Sequence, residues 1–324
     1  MPRTILVTGA SGALGRHLVP ELKRSGYLVR GQYCRSRPCL AEGVDWYRMN
    51  FLETLDCSAL VRGCDGIIHL AGETNNRSLM YRVNVEATKA LLAEAKSAGV
   101  RYFGYASSIV VYGSPRRRVI DESTPLLNPQ ASLVRQYRAD PSMLEYARTK
   151  VLAEQAISNS HPNMNLDIYR PTLVADLDRL LEVGYWSTLR KLAISYRQTQ
   201  YIYVGDLVAA IQYLMTESLG SAEAHPNVRV FNFADEECGT YRDILTMAYR
   251  VTGARRYRAG INMPVFMVLD LLREAVIYRQ LTLRYSLGML RVRNTKLRAT
   301  GFSFPFGVKS ALKQALAQIT SQPA

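Results

Sequence analysis

The fold of this chain is decided by a glycine-rich turn near its N-terminus, Thr8-Gly9-Ala10-Ser11-Gly12-Ala13-Leu14-Gly15. The residues before the turn, from Thr4 to Thr8, are largely apolar and β-branched, and they predict a short strand. The residues after it, from Arg16 to Lys23, have helical character despite Pro20. Glycines at three-residue spacing let the backbone approach a pyrophosphate, to which the helix N-terminus offers N–H groups. The stretch therefore predicts a dinucleotide-binding loop.

Strand and helix patterns alternate through the first half of the chain. Strands are predicted near 4–8, 28–34, 66–70, 102–107 and 166–170, and helices near 15–25, 78–98 and 143–159. Such alternation is typical of a doubly wound parallel sheet. Beyond Arg170 the alternation loosens. We predict a dinucleotide-binding domain over 1–175, with a return segment at about 199–235, and a smaller lobe built from 176–198 and 236–324.

A second motif, Tyr146-Ala147-Arg148-Thr149-Lys150, stands about 40 residues after the pair Ser107-Ser108. Reduction of a ketone needs a hydride on carbon and a proton on oxygen, and a tyrosine near its free pKa of about 10 transfers protons poorly at neutral pH. Lys150 lies on the same helix face as Tyr146, so its charge is expected to lower the pKa of the tyrosine. Together with the glycine loop, this spacing indicates hydride-transfer chemistry.

Several further segments carry a family resemblance. They are Asp65 to Gly72, Asn84-Val85-Glu86-Ala87-Thr88, Ser107 to Gly113, Arg170-Pro171-Thr172 and Tyr203-Val204-Gly205-Asp206-Leu207. With the Thr-Gly-x-x-Gly-x-x-Gly loop, they resemble the extended branch of the short-chain dehydrogenase/reductase superfamily, the epimerase/dehydratase-like proteins. The resemblance covers nearly the whole chain. It implies an α/β fold, a Rossmann-type doubly wound parallel sheet with a smaller C-terminal substrate-binding lobe.

The resemblance also implies the roles of the site residues. Tyr146 becomes the catalytic acid/base, Lys150 its partner and a ligand of the nicotinamide ribose, and Ser108 the hydroxyl that orients the substrate; Ser107 is the less favoured substitute. The predicted cofactor-binding residues are Gly9, Ser11, Gly12, Ala13, Leu14, Gly15, Arg35, Ser36, Arg37, Asn50, Phe51, Leu70, Ala71, Gly72, Asn84, Tyr146, Lys150, Pro171 and Thr172. No metal site is predicted.

The end of the second strand favours NADP over NAD. NAD enzymes place a carboxylate there, on the ribose 2′-hydroxyl. By register Tyr33 takes that position, and no Asp or Glu occurs between Glu21 and Glu42. Arg35 and Arg37, with Ser36 between them, offer charge-assisted hydrogen bonds to a 2′-phosphate instead. Which of the two arginines holds it stays open.

The reaction class is predicted from departures from the family pattern. Ile109 and Val110 stand where dehydratases carry an Asp-Glu pair, so dehydration is not expected. Thr172 and Thr199 occupy positions where sugar-nucleotide epimerases have an asparagine and an arginine. We therefore expect an NADP(H)-dependent reductase acting on a carbonyl of a small hydroxylated metabolite, with a sugar-nucleotide ketone among the candidates. The alternatives are a redox-neutral sugar-nucleotide epimerase and a non-catalytic, cofactor-sensing scaffold.

Composition places few further limits. The 324 residues are 48% hydrophobic and 21% charged, which is ordinary for a globular protein. The five cysteines include no Cys-x-x-Cys pair, which favours reduced thiols in a cytoplasmic protein. The four histidines are scattered and do not suggest a metal site. The net charge of +14 comes without a nucleic-acid recognition motif, and no apolar run reaches the length of a membrane span.

The resemblance further implies a homodimer, paired through the helices near 78–98 and 143–159. Apolar residues of these helices offer such a face, although a core within the chain explains them equally well: Leu91, Leu92, Leu144, Val151 and Leu152.

Overall fold

The computed structural model describes residues 2–35, 42–113, 115, 119–132, 141–160, 163–188, 190–191, 195, 197–199, 201–220, 227–252, 268, 272, 276 and 291–321. The strands are β1 (Thr4–Thr8), β2 (Leu28–Tyr33), β3 (Asp45–Arg48), β4 (Gly66–His69), β5 (Tyr102–Ala106), β6 (Val119–Ile120), β7 (Asn165–Pro171), β8 (Leu173–Ala175), β9 (Tyr201–Tyr203), β10 (Val228–Phe233) and β11 (Arg291–Val292). All five strands expected from the sequence are present.

The helices follow the expected alternation. They are α1 (Gly15–Arg24), α2 (Ser58–Val61), α3 (Arg77–Met80), α4 (Ala87–Ser97), α5 (Pro141–Ser158), α6 (Leu177–Glu182), α7 (Val204–Gly220), α8 (Tyr241–Thr252), α9 (Thr295–Ala299) and α10 (Val308–Ser321). A π-helical turn, Tyr81–Glu86, joins α3 to α4, and 3-10 turns run over Ile109–Tyr112 and Val183–Tyr185. The helix predicted near 78–98 is therefore continuous but changes its winding in the middle.

Seven strands form one sheet in the order β10-β7-β5-β4-β1-β2-β3. The pairs from β3 to β7 are parallel in register. Leu166 N–H bonds Asn227 O, and Thr172 N–H bonds Phe233 O, with one constant offset, so β10 runs parallel to β7 as well. The predicted Rossmann-type parallel sheet is confirmed. Two short parallel pairs, β11 with β6 and β8 with β9, stand apart from it.

The chain divides into two compact units. The first holds residues 1–113, 125–170 and 208–231, and the second holds 114–124, 171–207 and 232–324. The assignment of dinucleotide binding to one region and substrate binding to another stays a prediction. In the first unit, apolar side chains of the sheet pack on α2, α4 and α5, among them Leu6, Ile67, Phe103, Leu91 and Ile157, which are all fully buried.

The second unit has its own core, built on α6, α8 and α10. Its buried side chains include Leu180, Ile244, Ala248, Val308 and Leu312. Asp206, from the Tyr-Val-x-Asp-Leu segment, accepts the Phe306 and Gly307 N–H groups at 2.8 and 2.7 Å, just before α10 begins. Every helix among the described residues is too short or too polar to cross a lipid bilayer.

Candidate active site

The glycine loop is shaped by close backbone contacts. Gly9 has φ +63°, and a Cβ there would lie 2.8 Å from the Ala71 nitrogen. A Cβ on Gly15 would lie 2.5 Å from the Gly9 carbonyl oxygen. Both positions therefore exclude every other residue unless the backbone moves. Gly9 allows the turn from β1 to cross beside the end of β4, and Gly15 lets α1 begin against the loop.

An open cradle remains at the start of α1. Ser11, Gly12 and Ala13 are exposed, and α1 begins without a side-chain cap. The positive end of its dipole therefore faces the loop and attracts an anion, while the Arg16 and His17 N–H groups bond the Gly12 and Leu14 carbonyls at 3.1 Å. The loop is held by Gln32, whose side chain accepts the Gly9 N–H at 2.8 Å and donates to the Met49 carbonyl at 2.6 Å. This arrangement fits the pyrophosphate of a dinucleotide.

The end of β2 lacks a carboxylate, as the sequence predicts. Tyr33 pairs in register with Arg48 of β3, and Arg35 follows in an exposed turn. Ser36 and Arg37, both predicted to bind the cofactor, lie outside the described residues. Next to β3, Asn50 uses its amide locally, donating to Glu53 at 2.8 Å and accepting the Leu52 N–H at 3.1 Å.

Phe51 is 4% exposed and packs in the core. Its side chain therefore belongs to the hydrophobic core, and only its backbone is suited to contact a cofactor.

The end of β4 is fixed by a chain of buried hydrogen bonds. The Ala71 N–H donates to Thr8 Oγ1 at 3.2 Å, and Thr8 Oγ1 lies 2.6 Å from His69 Nδ1. His69 Nε2 lies 3.0 Å from Thr88 Oγ1, which donates to the Asn84 carbonyl at 2.8 Å. Burial, together with the charge of Lys150, lowers the pKa of His69 to about 3. His69 is therefore neutral, and it aligns β1, β4 and the helix at 84–88.

Asn84 lies in the π-helical turn, a local form that often marks functional sites. Its Oδ1 accepts the Glu73 N–H at 2.8 Å. Its Nδ2 donates to the Glu73 carbonyl at 2.9 Å and to Thr149 Oγ1 at 3.1 Å. A Cβ on Gly72 would lie 3.3 Å from Asn84 Oδ1 and 3.6 Å from Lys150 Nζ. Asn84 thus holds Gly72 and its strand end beside Lys150.

The two serines after β5 differ in their bonding. Ser107 is 4% exposed, and its hydroxyl donates to the Glu154 carboxylate. Ser108 is half-buried, caps the 3-10 turn, and makes a long 3.4 Å contact with the Val110 N–H. A hydrogen bond from Ser108 also acts on the Tyr146 hydroxyl, and it lowers the tyrosine's pKa against the larger effect of burial. The geometry therefore favours Ser108 over Ser107 as the hydroxyl that acts beside Tyr146.

Lys150 and Tyr146 lie on the same face of α5. The Lys150 ammonium stands 5.7 Å from the Tyr146 ring centroid and 4.7 Å from that of Tyr105, and it donates to the Ala106 carbonyl at 2.6 Å. Burial lowers the pKa of Lys150 to about 8, although the Glu154 carboxylate opposes this.

The expected lowering of the Tyr146 pKa is wrong for this state of the protein. Burial raises that pKa to about 12, and only the Ser108 hydrogen bond acts in the other direction. The physical reason is that desolvation of the phenolate outweighs nearby charge. The Lys150 ammonium is bonded to a backbone carbonyl in addition, so it is not committed to the tyrosine oxygen.

A buried ion pair behind the site was missed by sequence reasoning. The Arg170 Nη2 group lies 2.6 Å from Glu154 Oε2, and Arg170 Nη1 donates to the Tyr112 hydroxyl at 2.7 Å. The available signal was the spacing of Glu154, four residues after Lys150, together with Arg170 at the end of a buried strand.

Two predicted residues of the second unit are engaged locally. The hydroxyl and the N–H of Thr172 both donate to the Phe233 carbonyl, at 3.1 and 2.9 Å. Pro171, the last residue of β7, is half-buried. In the same unit Thr199 donates its hydroxyl to the Gly239 carbonyl at 2.7 Å.

The described residues contain no cluster of histidine, cysteine and carboxylate side chains suited to a metal ion.

Comparison with known proteins gives related enzymes of several activities. The chain is 33% identical over 120 residues to the "Putative dihydroflavonol 4-reductase" of Synechocystis sp., a match that spans 35% of this chain and 35% of that protein. It is 31% identical over 149 residues to human UDP-glucose 4-epimerase, spanning 39% of this chain and 43% of the epimerase. The matched regions are thus less than half the length of either relative.

A solved structure extends the likeness over the whole fold. A short-chain dehydrogenase/reductase superfamily protein from Agrobacterium tumefaciens with bound NAD superposes with a TM-score of 0.72 at 21% identity, covering 98% of this chain and 97% of that one. The model of the NAD dependent epimerase/dehydratase family matches residues 5–174, more than half of the sequence. With its glycine cradle and parallel sheet, the chain belongs to the NAD dependent epimerase/dehydratase family.

Proposed function

We propose that this protein is an NADP(H)-dependent reductase that reduces a carbonyl group of a small hydroxylated metabolite. The observation that carries the proposal is the grouping of Ser108, Tyr146 and Lys150 in the same unit as the glycine cradle. A hydroxyl, a phenol and an ammonium so placed are the groups that proton transfer to a carbonyl oxygen requires. Family membership supports a nicotinamide cofactor, which supplies the hydride when it is bound.

The protonation of Tyr146 suits reduction. Because burial raises its pKa to about 12, Tyr146 carries its proton at neutral pH and acts as an acid. Ser108 orients the carbonyl oxygen by hydrogen bonding, and Tyr146 donates its proton to that oxygen as negative charge develops there. The positive charge of Lys150 stabilises the phenolate that results. Lys150 also binds the nicotinamide ribose in this proposal.

The cofactor fits residues of this chain. The glycine loop, where added Cβ atoms would strike the backbone, receives the pyrophosphate. Arg35, with Ser36 and Arg37, binds the 2′-phosphate, because Tyr33 leaves the strand end without the carboxylate that NAD favours. Asn50 and Phe51 border the adenine. The backbone at 70–72 and the side chain of Asn84 complete the proposed cofactor site in the first unit, and the contribution of Pro171 and Thr172 stays a prediction.

The threonines of the second unit favour a reductase over a sugar-nucleotide epimerase. Thr172 is 5% exposed and Thr199 is 5% exposed, and each donates its hydroxyl to a backbone carbonyl. Neither supplies the asparagine or arginine that family epimerases have there. Ile109 and Val110, apolar and half-buried, cannot shuttle protons, so we propose no dehydratase activity. The 31% identity to human UDP-glucose 4-epimerase supports epimerisation as the alternative function.

The experiment is a screen of ketones and sugar nucleotides with NADPH, followed by loss of nicotinamide absorbance. The reductase should consume one NADPH for each carbonyl reduced. Tyr146→Phe serves as the inactive control, because it removes the proton donor and keeps the ring. An epimerase would isomerise a sugar nucleotide without net NADPH consumption, and a cofactor-sensing scaffold would bind NADPH without any turnover.

We further propose a homodimer through the α3–α4 segment and α5. Leu91, Leu92 and Val151 are at most 6% exposed, so the alternative explanation, a core within the chain, holds for these three residues. Their side chains fill the core instead. Tyr81 at 41% and Met143 at 36% exposure are the apolar side chains that these segments present to solvent.

A further inference from the structure

A buried carboxylate lies one helical turn beyond Lys150. Glu154 is 2% exposed, and its position four residues after Lys150 puts both side chains on one face of α5. Burying a carboxylate is costly unless the charge is paired and hydrogen-bonded. The partners of Glu154 therefore show what this group is placed to do.

Two residues from separate elements bond the Glu154 carboxylate, and a third residue bonds one of them. Arg170, at the end of β7, donates through Nε at 3.0 Å and through Nη2 at 2.6 Å to the two carboxylate oxygens. Ser107, just after β5, donates its hydroxyl to Oε1. Tyr112, in the 3-10 turn that follows Ser108, receives the remaining Arg170 contact at 2.7 Å. Glu154 thus connects α5 with the segment on which Ser108 lies.

The buried charges that the structure describes around Glu154 are unequal in number, with two cations and one carboxylate. Lys150 is 4% exposed and Arg170 is 5% exposed; Glu154 pairs with Arg170, and its charge also acts on Lys150. The other groups that face Lys150 carry no charge near neutral pH, because the pKa values of Tyr105 and Tyr146 are raised and that of His69 is lowered, each mainly by burial. Among the described residues, Glu154 is the carboxylate whose charge acts on Lys150.

We propose that Glu154 is a positioning residue of the active site, which fixes the Ser107–Ser108 strand end against α5 and places a negative charge beside the Lys150 ammonium. It does not touch the substrate; it acts through Ser108 and Lys150. The inference rests on the proposed role of Lys150 at the nicotinamide ribose. It adds to that function the group that holds Lys150 in its charged form.

The test is the pH dependence of NADPH binding, measured by cofactor fluorescence across the range in which Lys150 titrates, on either side of about 8. Wild-type affinity should fall as Lys150 loses its proton, and Lys150→Met should remove that dependence. Glu154→Gln should move the midpoint down by about one pH unit, since the Glu154 charge raises the pKa of Lys150 and a nearby opposite charge shifts a pKa by that order. Glu154→Asp keeps the charge and should restore most of the midpoint.

The matched control is Glu145→Gln, the same chemical change on the same helix. Glu145 pairs with the partly exposed Arg148, so its loss should leave the midpoint unchanged. If Glu154→Gln leaves Arg170 unpaired and does not fold, the double variant with Arg170→Met removes both charges, a replacement that buried pairs often tolerate. Its midpoint should also be lowered.

Should neither variant fold, Ser107→Ala removes only the hydroxyl that Glu154 accepts. A lower kcat with an unchanged KM would then support the positioning role, and wild-type values of both would overturn it.

If Glu154→Gln folds and keeps the wild-type midpoint while Lys150→Met gives a flat profile, the proposed role of Glu154 is refuted and that of Lys150 stands. If Lys150→Met keeps the wild-type profile, Lys150 does not act on the cofactor, and both the proposed function of Lys150 and this inference fall together.

Discussion

Replacing Lys150 by methionine should stabilise the protein while it destroys function. Lys150 is 4% exposed, and burial lowers its pKa from 10.5 to about 8. At roughly 1.36 kcal/mol for each pKa unit, keeping this charge buried at neutral pH costs about 3 kcal/mol of folding free energy. Methionine has a similar length and no charge, so Lys150→Met should recover much of that cost. The lost hydrogen bond to the Ala106 carbonyl will offset part of the gain.

The pH dependence gives the prediction its sign. Below about 8, Lys150 is charged in both the folded and the unfolded states, and the full cost is present. Between about 8 and 10.5, the unfolded state binds the extra proton, so wild-type stability rises relative to the variant as the pH increases. The stability difference between the two proteins should therefore be largest near pH 7 and shrink toward pH 10.

Urea unfolding followed by circular dichroism at several pH values is the assay, with equal m-values as the check on two-state behaviour. Taking the difference between the two proteins removes the contributions that other titrating groups, common to both, make to the pH dependence of stability. Lower stability of Lys150→Met at pH 7, or a stability difference that does not change with pH, would refute the reasoning. Either result would mean that Lys150 is not buried as a charge.

Three other predictions address chemistry, cofactor and assembly. Tyr146→Phe should lower kcat by about 10²- to 10⁴-fold while NADPH affinity is kept, because only the proton donor is lost; near-native turnover would contradict the assignment. Arg35→Ala should weaken NADPH binding by about 2 kcal/mol and leave NADH binding unchanged, which calorimetry with both cofactors measures; equal affinity of the wild-type protein for both cofactors would contradict the NADP preference. Light scattering should show a dimer at micromolar concentration, and Met143→Arg should shift it toward monomer, because a charge would replace an exposed apolar side chain of α5; a wild-type monomer would refute the proposed assembly.

The sheet was predictable because its buried strands carry a clear apolar signal. Four consecutive buried residues in β1 and four in β4 leave little alternative to a central parallel strand. The third strand, Asp45–Arg48, was not predicted, because it is an edge strand with exposed ends and no apolar run. The π-helical turn escaped for another reason, since its winding follows from tertiary contacts of Asn84 rather than from local propensity.

The spacing of the candidate residues was predictable, their electrostatics were not, and their membership of an active site stays a prediction. Spacing alone brings Tyr146 and Lys150 together on α5, and it identifies the glycines that the backbone requires. It does not show that burial outweighs charge at Tyr146, because desolvation depends on the surrounding fold. Glu154 escaped for the same reason, since its partners Arg170 and Ser107 meet it only after β5, β7 and α5 have packed.

The most direct test of the proposed function is the stoichiometry of NADPH and substrate in a single closed reaction. The protein is incubated with a substrate found by the screen and with NADPH, and the alcohol formed is compared with the NADPH consumed. A reductase built on Ser108, Tyr146 and Lys150 predicts one NADPH oxidised for each carbonyl reduced, with Tyr146→Phe forming neither product. Complete isomerisation of a sugar nucleotide with only catalytic cofactor would contradict the account and establish the epimerase in its place.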